Sequence, residues 1–373
     1  MNFANVTNII IPQGEVIQIQ DSLSRILWKK SSPTVLPYFY VEDMSGSENI
    51  LSINKISDNA PTLTIEMSRD GVNWSTLGTT STTAISTSIP TYGRVYLRCN
   101  TSGWSTNYGN AINRIYCSQS CRVGGNIMSL LYGSNFVGNE VIFPSGSNGN
   151  FFRLFSNSNS INDASTLILP ATTLTNYCYG HMFDGCTSLT TAPALPATTL
   201  VDSCYSFMFY GCTSLTTAPA LPATTLAYGC YGSMFKGCTS LTTAPTLPAT
   251  TLANYCYSYM FDGCTSLTTT QAILPATTLT IYCYRNMFYG CSALTTAPEL
   301  PATILVDYCY KEMFYGCTNL NNIKCIATDI SAYECLLNWL VSTSNNGTFT
   351  KKAGITWPSS WSGIPSGWTV IEV

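Results

Sequence analysis

Two patterns of apolar and polar positions divide the chain. In the first third, apolar residues alternate with polar ones in short runs rich in Ile and Val, the period of extended strands. Residues 8–11, 16–20 and 25–30 are the first such runs. A few free strands are marginal alone. Residues 1–32 therefore read as attachment strands that dock on a neighbouring domain or a partner chain, or else as the first strands of the next domain. Between residues 33 and 122, further candidate strands fall at 38–41, 50–53, 63–67, 72–75, 84–89 and 94–98. Asp70-Gly71 between two of them signals a two-residue hairpin. Strands at this spacing predict a β-sandwich. Such a module serves as a spacer or binds sugar, and the spacer is favoured. Residues 123–142 form a junction.

The second pattern is a repeat. Units that read LPATTLTNYCYGHMFDGCTSLTTAPA or close to it start at Leu169, Leu195, Leu221, Leu247, Leu274 and Leu300. The period is 26 residues, with one step of 27 from Leu247 to Leu274. A fixed period in this range predicts a solenoid, whose coils bury their apolar faces only against each other. Within the unit from Leu169, Leu174 and Leu189 should form inward ladders. Cys178, Tyr179, Met182, Phe183 and Cys186 fall on one stripe of a short helix, with Tyr177, Gly180, His181 and Asp184 facing solvent and Gly185 ending the helix. Thr-rich pieces with Pro170 and Pro193 at the corners suit short strands. The odd unit loses its Thr-Ala-Pro corner at 269–273, which predicts a local bulge.

The solenoid spans 143–330: a degenerate first coil at 143–168, six regular coils from 169, and an imperfect last one. Residues 331–373 form a C-terminal cap, with an amphipathic helix at 332–341 and a tail holding Phe349, Trp357, Trp361 and Trp368. Those tryptophans cover the last open coil, or alternatively stack on sugar. The fold class is mainly β with short helices.

Composition narrows the function. Only 9% of the 373 residues are charged and the net charge is -3. The 16 Lys and Arg form no run longer than a pair, so nucleic-acid binding is excluded. No stretch approaches the roughly 18 apolar residues of a membrane span. The N-terminal sequence lacks the basic lead and apolar run of a secretory signal. With one histidine, His181, and no GxSxG, HExxH, P-loop or GxGxxG motif, neither catalysis nor a cofactor is expected. Cys117 and Cys121, with Cys99 nearby, lack a fourth ligand for zinc. Twelve of the 17 cysteines are ladder pairs from Cys178/Cys186 to Cys309/Cys317. Eight helical residues separate a pair by roughly 12 Å, beyond the reach of about 7 Å that a disulfide allows. Buried free thiols are the expectation.

The unit MFxGCTSLTTAPxLPATTL resembles the BspA-like leucine-rich repeats of bacterial surface proteins, whose corresponding unit carries AFxGCxSL. Here Met-Phe replaces Ala-Phe, and the first cysteine takes a usual Ile place. The closing residues 347–373 also resemble the ends of such proteins, and residues 36–128 with the repeats are similar to tail- or fibre-associated proteins of gut bacteriophages. The resemblance implies an exposed recognition protein. In a virion it would contact other virion proteins through the N-terminal segment and a host-surface glycan or protein through the repeats. The alternative is a secreted bacterial adhesin, and a Thr array that binds ice is a remote third. The missing secretory signal favours the virion, hence a virion or extracellular location, and a homo-oligomer stays open.

The Thr-rich face scarcely changes between units, whereas the solvent face of the expected helix does. Its variable positions make the candidate binding ridge: His181, Asp184, Phe207, Tyr210, Lys236, Tyr259, Asp262, Arg285, Tyr289, Lys311 and Tyr315. Tyr and Arg are enriched in recognition surfaces. Simple drift of solvent positions is the competing explanation.

Overall fold

The computed structural model describes residues 6–10, 18–21, 26–29, 38–105, 111–144, 148–358 and 361–373. Two compact units are present, Met1–Pro37 and Tyr38–Val373. In the first, strands β1 (Val6–Ile10), β2 (Gln18–Asp21) and β3 (Ile26–Lys29) form an antiparallel sheet in chain order. The strands fall where the alternation placed them. Ile11, Val16, Ile17, Arg25 and Lys30, at the edges of the expected runs, lie outside the described residues.

The second unit begins with two sheets. One has three antiparallel strands in the order β10 (Asn113–Cys117), β5 (Asn49–Lys55), β8 (Ile85–Ile89). The other has six, in the order β12 (Ile161–Ile168), β11 (Cys121–Asn126), β4 (Tyr40–Asp43), β9 (Arg94–Arg98), β6 (Thr64–Ser68), β7 (Ser75–Thr79). Their apolar positions alternate as the sequence does: Val41, Leu51, Ile53, Ile65, Val95, Leu97 and Val123 are fully buried. The β6–β7 turn is not the two-residue hairpin expected. Strand β7 starts at Ser75, and the Asp70 carboxylate folds the longer loop by accepting the N–H groups of Val72 (2.9 Å) and Asn73 (2.8 Å). A side-chain-capped loop of this kind competes with the tight turn.

Strand β12 belongs to the first coil yet pairs in parallel with β11, from Cys121↔Ile161 to Asn126↔Ile168. The sheet then continues into the repeats through single parallel bridges, Asp163↔Thr191, Thr191↔Thr217, Thr217↔Thr243 and Thr243↔Thr269. Sheet module and coils therefore share one hydrogen-bonded edge.

The expected helices are absent. A four-residue helix α1 (Ser129–Tyr132) and a three-residue 3-10 turn are the only helical segments among the described residues. Residues 177–186 instead form a ribbon of overlapping turns. The N–H groups of Cys178, Gly180, Met182, Asp184 and Cys186 each donate to the carbonyl three residues back, at 3.0–3.2 Å. Those of Tyr177, Tyr179, His181, Phe183 and Gly185 each donate to the next coil, for example Tyr179 to Cys204 at 3.0 Å and Phe183 to Met208 at 2.9 Å. Every fourth residue is left-handed: Tyr177 (φ 58), His181 (φ 54) and Gly185 (φ 72). The ribbon buries the stripe the helix would have buried, because its repeat of four residues and the helix repeat of 3.6 coincide over nine positions. Cys178, Tyr179, Met182, Phe183 and Cys186 are fully buried, while Gly180, expected in solvent, is also buried.

The same ribbon recurs in the first coil, with Gly149, Arg153 and Asn157 left-handed, and at 332–343, with Glu334, Asn338 and Ser342 left-handed. The amphipathic pattern read as a helix at 332–341 is thus one more coil. Its Trp339 replaces the ladder phenylalanine and accepts the Phe314 N–H at 3.0 Å. β13 (Asn322–Cys325), before this ribbon, and β14 (Gly347–Lys351) and β15 (Trp368–Glu372), after it, form a parallel sheet. Trp339, Phe349 and Trp357 pack together with ring centroids 5.0–5.9 Å apart, and Trp368 donates its indole N–H to Ser344 at 2.8 Å. Trp361 alone of the tail tryptophans is exposed.

Two aromatic stacks run through the coils. One passes from Phe39 in the sheet module through Phe155, Phe183, Phe209, Phe235, Phe261 and Phe288 to Phe314, with centroid spacings of 5.1–6.0 Å. The other links Phe151, Tyr179, Tyr205, Tyr231, Tyr257, Tyr284 and Tyr310. The break expected at 269–273 is present. Among the described residues no bridge joins Thr269 to Thr296, and pairing resumes only at Ile273↔Glu299. Inside the odd unit the Gln271 amide bonds back to Leu247, accepting its N–H at 2.6 Å and donating to its carbonyl at 3.3 Å.

All 17 cysteines are free and buried. The second thiol of each coil has a defined task, donating to the phenylalanine carbonyl of the coil before. Cys212 meets Phe183, Cys238 meets Phe209 and Cys264 meets Phe235, each at 3.1 Å. Burial pushes the Cys178 and Cys238 thiols up to about 12.

Candidate binding surface

Counted from the left-handed position, the ribbon turns its second and third columns inward, and the ridge stands on the first and fourth. Because every fourth residue is left-handed, one outer column carries its side chains in a conformation that L-residues seldom adopt. His181, Phe207, Ser233, Tyr259, Asn286 and Glu312 all occupy that conformation at one equivalent position, with φ of 53–58°. The cross-coil hydrogen bonds hold them there and project their side chains in file.

The ridge residues form clusters along this face. At the N-terminal end, the His181 ring stacks on Phe207 at 4.5 Å and bonds the Asp184 carboxylate at 2.9 Å, with Tyr210 at 5.9 Å from Phe207. In the middle, Lys236 pairs with Asp262 at 2.7 Å and lies over Tyr259 at 5.0 Å, while Arg285 lies over the same ring at 5.3 Å. Burial pushes the Asp262 carboxyl up, and the Lys236 ammonium only partly offsets it. Further on, Tyr289 and Tyr315 stack at 4.9 Å, and Lys311 pairs with Glu334 at 2.5 Å. Of the eleven, only Tyr210 is exposed; the others are partly covered by their neighbours.

One file of aromatic residues escaped the reading from sequence. Tyr255, Tyr282 and Tyr308 stack at 4.5 and 4.4 Å, flanked by Tyr228 at 5.4 Å and Tyr333 at 5.3 Å. Arg285 and Lys311 lie over Tyr282 and Tyr308 at 5.3 Å each. Burial and the bond to Tyr282 push the Tyr308 hydroxyl up to about 12. The signal was the recurring Tyr-Cys-Tyr triplet, whose first Tyr returns after 27 and 26 residues at 255, 282 and 308. A file at 255/282/308 therefore runs beside the stacked pair Tyr289 and Tyr315 on the outer face. Among the described residues no group of three or more His, Cys, Asp or Glu is placed to hold a metal ion. No helix among them is long and apolar enough to cross a membrane.

The family of BspA type leucine rich repeat regions matches in six copies, over residues 152–286 and 231–335. The matched residues begin in the first coil and end in the coil that holds Trp339. The repeats are similar to BspA type leucine rich repeats, and the chain is mainly β with very few helices among the described residues. No curated protein and no solved structure matches the chain.

Proposed function

We propose that the protein is a non-enzymatic surface-recognition protein of the adhesion type, built as a leucine-rich-repeat solenoid behind an N-terminal β-sandwich. The observation that carries this reading is the division of labour within the coil. The buried columns repeat almost without change, and the variable columns converge on one outer face rich in stacked tyrosines with Arg285, Lys311 and Lys236 among them. Rings fixed in file lose little conformational freedom on contact, which favours binding. A host-surface glycan or protein is the ligand class.

Two homes fit: a phage virion, in which Met1–Pro37 would attach to other virion proteins, and a bacterial cell surface. Antibody detection on purified phage particles and on washed intact bacteria separates them. Saturable binding of the purified full chain to intact bacterial cells tests the function itself. The expected result is binding in the micromolar range or tighter, about -8 kcal/mol. Binding that does not saturate, on any cell type tried, would overturn it.

A further inference from the structure

A polar cleft of about 490 Å³, lined by no ridge residue, lies where the β10–β11 turn meets the first two coils. Its walls include Arg114, Gln119, Asn157, Asn159, Asn162 and Ser188. The volume is within the ordinary range for small-ligand sites, but the lining is polar where such sites are usually apolar. An apolar occupant would find almost nothing to pack on.

The hydrogen bonds already made in the cleft define what is left over. The Ser158 and Ser160 hydroxyls donate inward to the Ile115 and Cys117 carbonyls, both at 2.8 Å, and Ser120 donates to Asn162 Oδ1 at 2.5 Å. Asn159 Oδ1 accepts the Thr187 N–H at 3.3 Å. The Nδ2 groups of Asn159 and Asn162, the Gln119 amide and the Ser188 hydroxyl then have no partner among the described residues. Arg114 is the one charged side chain in the lining. Its Nε is buried without a partner, its Nη1 makes one long bond to the Ser156 carbonyl at 3.5 Å, and its guanidinium lies 5.1 Å from the Tyr116 ring centroid. A buried guanidinium N–H without an acceptor is costly. The cleft thus presents a cluster of donors around a single positive charge, with no carboxylate to compete.

We propose that this cleft is a second ligand site, taking a saccharide unit that bears a carboxylate. The planar fork of Arg114 matches a carboxylate, and the amides of Gln119, Asn159 and Asn162 with the Ser188 hydroxyl match ring hydroxyls, each able to accept and donate. A polyphosphate chain would call for several cations, and the lining supplies one. The site does not depend on the ridge, so either can fail without the other.

The test is calorimetric titration of the full-length protein with galacturonate and N-acetylneuraminate, against galactose and inorganic phosphate. Arg114→Gln should weaken binding of the acidic sugars by at least about tenfold. Asn159→Asp keeps the acceptor for Thr187, adds a negative charge in an exposed position, and should weaken them to a similar degree. Substitution of ridge tyrosines should leave the titration unchanged. The proposal is overturned if neither acidic sugar binds, if galactose or phosphate binds as tightly, or if both cleft variants bind like the original protein.

Discussion

At the scale of single residues, the thiols show how little room the interior leaves. Cys238 is fully buried, donates to the Phe209 carbonyl and has its thiol pushed up to about 12 by burial. The thiolate is the reactive form, so alkylation of the folded protein at pH 8 should be negligible. After denaturation all 17 should react, in equal number with and without reductant. A deficit without reductant would reveal disulfides that this arrangement excludes. Asp43 makes a prediction about pH. Burial alone would raise its carboxyl, but bonds from Ser45, the Tyr92 N–H and Asn49 outweigh that and hold it well below the usual carboxylate range. A carboxylate lowered by folding contributes fully above its unfolded value; the contribution declines as pH falls below that value and is gone once pH passes the folded one. Asp43→Asn should therefore cost about 1–3 kcal/mol at pH 7. The difference from the original protein should shrink below about pH 4, read by urea unfolding at each pH.

At the scale of the element, the turn ribbon is the unit that propensity hides. Its burial stripe was legible in residues 178–186, because Cys, Tyr, Met and Phe recur at fixed places. Its backbone was not. Over nine residues a repeat of four cannot be told from 3.6, and the deciding hydrogen bonds run to a coil 25 residues away, as from Phe183 to Met208. Only the glycine column, with φ of 66–76° from Gly185 to Gly316, advertised the left-handed positions. At Tyr177 and His181, large side chains occupy the same conformation and nothing local betrays it. Ser233 offers a test at φ 54. Ser233→Val should destabilise by about 1–2 kcal/mol, since a β-branched residue fits the left-handed region badly, and Ser233→Gly should cost less. A helix would reverse that order, since glycine is among the poorest helix formers. Gln271 tests the odd coil. Gln271→Ala leaves the Leu247 N–H without the amide, which should cost about 1–2 kcal/mol in thermal or urea unfolding. The sequence marked the place of that break, but not that the Gln271 side chain would bond back to Leu247 beside it.

On the scale of the whole molecule, the chain is nearly one-dimensional after the sheet module, each coil bonding to the next. The continuity of Phe39 with Phe155 and of β11 with β12 seeds the first coil, and Trp339, Phe349 and Trp357 close the last. Removing the coil 221–246 should leave a folded, shorter stack, because Leu247 then follows Ala220 in the register that Leu221 had. Loss of a cooperative thermal transition would show that the coils are not interchangeable. The ridge was legible as variable positions; its companion file at Tyr255, Tyr282 and Tyr308 stands in the column of Tyr177, which was legible as facing solvent but not as a stack, because that column changes to Ser203 and Gly229 in the coils between.

On the proposed function, recognition belongs to the residues that break the repetition and scaffolding to those that keep it. Binding of two matched variants to intact cells tests this most directly. In one, Tyr210, Tyr259, Tyr289 and Tyr315 become Ser; in the other, Thr191, Thr217 and Thr243 of the bridged file become Ser. With thermal unfolding of both kept close to that of the original protein, the tyrosine variant should lose at least about tenfold in affinity and the threonine variant should lose none. Full binding by the tyrosine variant, or loss confined to the threonine variant, would contradict the account.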